Sequence, residues 1–327
     1  MSQVTDLPDL GELGRWTPIR LNLSGKEATV TWADLQEIRF EEPFFGQTVQ
    51  RWTEGEGARR TLRTGIAALS VLDQGTSSLD PAGFIFHVSR CGSTLASRLL
   101  AKAPGTVVIS EAAPINALLE AEGSEVEPEA IVAALRFVLR ALGRRRFGDE
   151  RQLFVKLSSW NVRRLALLRR AFPDTPWIWL YREPEVVVAS LLRQPPGWIA
   201  LRDAPEQAAS LLGVTNALEL SRADFCAEVV AGFCRAALDA GDQFQRFICY
   251  EDLPAAIWEV IAPQFGLSLT EADIAEMRAE ACYYAKTPGH HLFHGDPIAV
   301  PGAERPSPER LILLNDLAAL MDSKRGA

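Results

Sequence analysis

Cysteine is scarce in this chain of 327 residues: there are five, an odd number, and no two are spaced as Cys-x-x-Cys. That count and spacing argue against a disulfide framework, and reduced thiols in a cytoplasmic protein are the simplest reading. No apolar run approaches the ~20 residues that span a bilayer, so no membrane-spanning helix is expected. The opening stretch, MSQVTDLPDLGELGRW, carries acids and proline where a signal peptide has a basic and then an apolar segment. Positive charge is in deficit. Lys and Arg number 34 against 42 Asp and Glu, for a net charge of −8 and a pI of about 5.2. That balance argues against a bulk attraction to nucleic acid or to an anionic membrane. An anionic ligand must instead be held by a local basic pocket. There is no internal repeat and no long low-complexity tract.

What is present is ordinary globular material, 47% hydrophobic and 23% charged, with ample length for a large core. Residues 1–80 read differently from the rest and are expected to form an N-terminal extension. Within them ATVTWADL predicts a strand, EEPFFGQTVQRW is aromatic and irregular, and RTGIAALSVLD suits a short helix or a strand. Residues 81–327 read as one α/β domain. GFIFHV, TVVIS, LFVKL, WIWLY and RFICY are short apolar runs of buried-strand type. Helical spacing follows or separates them at 94–103, 131–142, 161–171, 186–192, 225–238, 257–265 and 308–321. Strands alternating with helices predict a parallel sheet flanked by helices. In such sheets ligands bind at the carboxyl ends of the strands. Ser89 and Arg90, Glu111, Lys156, Arg182 and Tyr250 all fall at such ends, which places five strands' chemistry on one rim.

The segment after the first of these strands, HVSRCGSTL, predicts a turn at Gly92 and a helix beginning near Ser93. Backbone N–H groups at a helix start favour an anion. Ser93 and Thr94 add hydroxyls or cap the helix, and Arg90 adds a forked cation suited to phosphate or sulfate oxygens. The Gly-Lys-[Ser/Thr] ending of a nucleotide-triphosphatase loop is missing. A plain strand-to-helix turn with a Ser/Thr cap is the bland alternative.

HVSRCGSTL resembles the 5′-phosphosulfate loop of the sulfotransferases that use 3′-phosphoadenosine 5′-phosphosulfate (PAPS). The departure is Cys91, where that family commonly has Ser. The stretch WIWLYREPEVVVASLL resembles the family's second signature, a strand followed by an Arg and, eight residues on, a Ser. The likeness is greatest to the branch of tyrosylprotein sulfotransferases and their bacterial relatives, and it covers roughly residues 84–290. It implies a P-loop nucleotide-binding-like sulfotransferase fold and transfer of a sulfuryl group from PAPS to a hydroxyl, leaving the 3′,5′-bisphosphate PAP. Ser89, Arg90, Cys91, Gly92, Ser93, Thr94 and Leu95 would then hold the phosphosulfate. Arg182 and Ser190 would hold the 3′-phosphate. Glu111, in VVISEAAP, would be the general base, its pKa raised by burial. Lys156, in LFVKLSS, would contact the sulfuryl group with Arg90. Tyr250, in FICYEDL, would pack near the cofactor, and Lys286, in YYAKTPGHH, would reach its phosphates. No metal is implied. The acceptor stays open among a hydroxyl-bearing small molecule, lipid, sugar or peptide, with Trp198, Phe44, Phe45 and Trp52 as candidate contacts.

Each residue has a structural alternative: a helix cap for Glu111, a snorkelling strand-end lysine for Lys156, and a surface ion pair with Glu183 or Glu185 for Arg182. His87 reads as a core histidine. His290, His291 and His294 lie beside Gly and Pro and suit a loop over the substrate better than a metal site. GRRRF and NVRRLALLRR read as solvated basic faces. A nucleotide-dependent kinase, and a noncatalytic nucleotide-binding protein on the same fold, are the competing functions.

Overall fold

Five short strands rich in β-branched and aromatic residues set the architecture. In the computed structural model, which describes residues 16–23, 27–35, 38–55, 60–75, 77–283 and 304–325, the first three strands lie outside that set. They are β1 (Trp16–Asn22), β2 (Thr29–Asp34) and β3 (Thr61–Gly65), joined as an antiparallel sheet in the order β1-β2-β3. The main sheet contains β4 (Pro81–His87), β5 (Thr106–Ser110), β6 (Gln152–Lys156), β7 (Trp177–Tyr181) and β8 (Gln245–Cys249). Its order is β5-β6-β4-β7-β8 and every pair is parallel. Helices cover it, among them Ser93–Leu100, Pro128–Leu142, Pro184–Arg193, Arg222–Asp239 and Pro308–Ser323.

Every residue of β7, WIWLY, is buried, as expected of a strand covered on both faces. Full burial of each such side chain contributes roughly 1.5–3 kcal/mol before entropy is counted. From β4 the chain runs out to β5, returns to β6, then crosses to β7 on the other side. The carboxyl end of β4 is therefore a topological switch point, where a crevice opens.

The N-terminal residues depart from their sequence pattern. EEPFFGQTVQRW is not irregular: Phe45–Glu54 is an α-helix, because Phe45, Thr48 and their neighbours bury one face at helical spacing. RTGIAALSVLD resolves into both of its readings, β3 and then a helix at Ala68–Gly75. Downstream, the stretch expected as one helix at 161–171 begins as a 3₁₀ turn, Ser159–Arg164, before Leu165–Ala171. Ala113–Glu120 is the helix that Glu111 would cap in its structural alternative, and Glu271–Glu280 escaped the pattern.

The basic run GRRRF is not a solvated face. Arg144 is buried and donates to the Trp16 carbonyl. Arg146 donates to the carbonyls of Leu35 and Ile38 at 2.8 and 2.9 Å and stacks 4.1 Å from the Phe40 ring. Burial pushes both guanidinium groups down to about 10, so both stay charged at neutral pH. They clamp the N-terminal segment to the main fold. NVRRLALLRR is likewise tied down: Arg164 pairs with Glu122 at 2.8 Å, and Arg169 with Asp242 at 3.0 Å.

Replacing Arg146 by Met strands two carbonyls and removes the stack. A loss of about 2–3 kcal/mol of unfolding free energy is expected, measurable by urea denaturation. A loss below ~0.5 kcal/mol would mean that Arg146 is not the clamp.

Candidate active site

Beyond β4 the backbone curls through three left-handed residues, Ser89 (φ 77), Arg90 (φ 52) and Gly92 (φ 78). For Ser89 and Arg90 this conformation costs roughly 1–2 kcal/mol each. Side-chain bonds offset the cost. The Ser89 N–H donates to His87 Nδ1 at 3.1 Å, the Ser89 and Ser159 hydroxyls meet at 3.1 Å, and Cys91 Sγ donates to the Leu180 carbonyl at 3.2 Å. At Gly92 a Cβ would stand 2.7 Å from Leu253 and 3.0 Å from Tyr250, so only glycine fits. The first helical hydrogen bond runs from the Ala96 N–H to the Gly92 carbonyl, at 3.0 Å. The N–H groups of Ser93, Thr94 and Leu95 precede it and have no intrahelical acceptor. Free N–H donors at a helix start form a cradle that suits an anion, with the Ser93 and Thr94 side chains buried beside it.

Next to the cradle sits a charged pair. Lys156, at the end of β6, is fully buried, and its ammonium donates to the Glu111 carboxylate. Strand register explains the meeting. Ser110 and Ile85 flank Lys156 across the sheet, and cross-strand neighbours point to one face. Glu111, one residue beyond Ser110, would face the other way in a regular strand. Its φ of 54 turns the carboxylate back. Its N–H stays on the ladder, donating to the Lys156 carbonyl at 2.8 Å.

His87 completes the cluster, and it is no bystander of the core. Two residues beyond Ile85 on β4, it shares that face. Its Nδ1 accepts from Ser89, so in the neutral ring Nε2 carries the proton. That Nε2 lies 3.6 Å from Glu111 Oε1. The expected rise in the Glu111 pKa is overturned. Burial does push the carboxyl up, but the Lys156 ammonium and then His87 outweigh it and bring it down to about 2. The resting site holds an ionised carboxylate in a pair, not a free base.

The other rim residues divide: Arg182 and Tyr250 meet beside the Gly92 turn, and Arg90 lines the same cavity as Glu111. The Arg182 guanidinium stacks 4.2 Å above the Tyr250 ring, which packs against Gly92. Ser190 is half-buried on the helix that follows Arg182. Arg90 turns outward, donating to the Gln194 side chain at 3.1 Å and to the Gln194 carbonyl. Lys286 and the His290, His291 and His294 group lie outside the described residues.

A cavity of about 610 Å³ opens over Glu111, His87 and the cradle. Phe44 and Trp160 line it, and neither Trp160 nor His87 stands out as a site residue from sequence alone. The Phe44 ring lies 4.7 Å from Lys156 Nζ. Phe45 instead packs in the core against Phe40. The signal available for His87 was its place two residues before the cradle, at a strand end beside two other rim residues.

A carboxyl held at about 2 against an ordinary 4.5 adds stability that is complete above pH ~4.5. That stability is lost as pH falls toward 2. The contribution is on the order of 3 kcal/mol at most, because the Glu111 side chain is 25% exposed. In urea denaturation, the stability gap between wild type and Glu111→Gln is therefore expected to shrink from pH 6 to pH 2.5. A gap independent of pH would show that the carboxylate is not held in this way.

No family model and no curated protein matches the sequence. Among solved structures, the chain is similar to the sulfotransferase domain from the Synechococcus PCC 7002 olefin synthase. Identity is 17%, the match covers 76% of this chain and 95% of that one, and the TM-score is 0.41. It is also similar to the sulfotransferase domain from the curacin biosynthetic pathway, at 16% identity, 74% and 99% coverage and a TM-score of 0.46. For sulfotransferase STF9 from Mycobacterium avium the values are 13%, 77% of each chain and 0.42. Likeness at this level fixes no activity.

Proposed function

We propose that this chain is a sulfotransferase that moves a sulfuryl group from PAPS to a hydroxyl of an acceptor. The observation that carries the proposal is the buried Lys156–Glu111 pair standing beside an anion cradle that lacks a Gly-Lys ending. The resemblance of HVSRCGSTL and WIWLYREPEVVVASLL to the two sulfotransferase signatures supports it.

In this reading the cradle formed by Ser89, Cys91, Gly92, Ser93, Thr94 and Leu95 binds the 5′-phosphosulfate through backbone N–H groups and hydroxyls. Arg182 and Ser190 bind the 3′-phosphate, and Tyr250 braces Arg182 and the Gly92 turn. Lys286 is assigned to the phosphates from the resemblance alone. PAPS supplies the sulfuryl group; the acceptor oxygen forms a bond to sulfur as the bond from sulfur to the 5′-phosphate oxygen breaks. The electron pair of that bond stays on the phosphate. Glu111 accepts the acceptor's proton.

Lys156 is asked to serve two anions in turn. In the resting chain it holds Glu111. Sulfuryl oxygens in the cradle compete for the same ammonium, and Arg90 exchanges Gln194 for them. As Lys156 is shared, its hold on Glu111 weakens and the proton affinity of the carboxylate rises when the acceptor must lose its proton. Stabilisation then comes from positioned charge. His87 is a positioning residue: it aims Glu111 and fixes the Ser89 turn.

Calorimetry with PAP and with ATP tests the donor. Micromolar or tighter binding of PAP without magnesium is expected, with a loss of about 1.5–3 kcal/mol in Arg182→Ala. Tighter binding of ATP with magnesium, or no binding of either nucleotide, would sink the proposal; the first of these outcomes favours a kinase. Glu111→Gln is expected to keep PAP affinity and lose turnover by about 10²-fold or more.

His87→Gln removes one of the groups that hold the Glu111 carboxyl low. The acid limb of kcat/KM is expected to move to higher pH while PAP affinity stays within about twofold. An unmoved limb would leave His87 with a purely structural role.

A further inference from the structure

We infer that the acceptor is an uncharged, largely apolar alcohol or phenol, and that Phe44, Trp160, Pro196, Trp198, Leu201 and Leu211 form its binding wall. The inference rests on the sulfotransferase reading for the hydroxyl and on the cavity itself for the rest. The lining falls into two chemical sets. One is polar: Ser89, Ser93, Thr94, Glu111 and His87, the groups assigned to sulfuryl transfer. The other is the apolar wall, which meets the first at Phe44.

Charge on the lining is already committed. Besides His87, the ionisable lining residues among those described are Arg90 and Glu111, and these bind Gln194 and Lys156. Arg182, assigned to the nucleotide, is not part of the lining. Among the described lining residues Arg90 is the one permanent cation, and the sulfotransferase reading gives it to the sulfuryl group, so the carboxylates of an acidic tyrosyl peptide would be buried without a cation of their own. A sugar fares little better. The Trp160 Nε1–H is turned to Glu120 at 3.2 Å, and the Ser159 hydroxyl is engaged by Ser89 at 3.1 Å. Extra hydroxyls on a sugar ring would be desolvated against carbon.

The wall is also held firm. Trp198 is 5% exposed, and its ring packs 6.3 Å from Phe225 and 6.4 Å from Phe233. The Phe44 ring, 4.7 Å from Lys156 Nζ, borders the reacting centre, so an apolar body lying along the wall brings its hydroxyl to Glu111. A cavity of about 610 Å³ is of small-molecule size.

The test is calorimetric binding of 2-naphthol, methyl β-glucoside and an acidic tyrosyl peptide to the full chain, with and without saturating PAP. The expected result is 2-naphthol binding at least tenfold tighter than the other two. Phe44→Ala, and separately the cavity-filling Leu201→Trp, should each weaken it about tenfold while PAP affinity stays within twofold. Two variants of opposite steric sense guard against misfolding in either one. Glucoside or peptide binding as tightly as 2-naphthol would overturn the inference. So would no binding of 2-naphthol, or an affinity unchanged in both variants. If PAP fails to bind while 2-naphthol binds and both variants weaken it, the apolar wall stands and the donor assignment falls.

Discussion

A lysine ammonium shut away from water needs a partner, and in this chain nearly everything at the site follows from that need. Lys156 is fully buried, and Glu111 answers its charge. Desolvating a lone ammonium is expensive, so in the folded state the sheet covers Lys156 only with its charge paired. The left-handed turn at Glu111, the β4–β6–β5 register and the ring of Phe44 over the ammonium can all be read as conditions for that pairing. An ion pair of this kind adds little net stability compared with a hydrophobic substitute. Under the proposed reading, its place beside the cradle serves chemistry rather than folding.

The same pair restrains itself. A carboxylate held near 2 is a poor proton acceptor, and an ammonium tied to a carboxylate is a poor electrophilic aid. Each becomes useful only when the other is drawn away. Under the proposed reading this makes the arrival of an anion in the cradle the event that readies the base.

Much of this is legible in the order of the amino acids. The five strands of the main sheet are short apolar runs, and their length with their β-branched and aromatic content places them. Ser89, Arg90, Glu111, Lys156, Arg182 and Tyr250 stand at or just past the strand ends that those runs mark. Direction is what the order of residues hides. His87 looks like one more residue of a buried strand until the register puts it on the face of Lys156, 3.6 Å from Glu111. The Glu111 pKa depends on two partners distant along the chain, His87 and Lys156, and burial alone predicts the wrong sign. Arg144 and Arg146 look solvated because neighbouring arginines usually are; the carbonyls of Trp16, Leu35 and Ile38 that they serve come from more than a hundred residues earlier. The helix at Phe45–Glu54 is hidden by a Pro and two Phe at its start.

The arginine clamp has a wider meaning. It fastens to the main fold the segment whose Phe44 stands over Lys156, while the cradle and the 3′-phosphate candidates lie far downstream. The pocket is therefore assembled from two stretches of sequence that can change independently. Substitutions around Phe44 can reshape the cavity while leaving the residues of the Gly92 turn unchanged, and the clamp holds the segment in the same place. Under the proposed reading, a lineage of such chains would be free to explore new acceptors while its donor chemistry stays put. Any version trimmed to residues 81–327 would keep the cradle and lose the Phe44 wall.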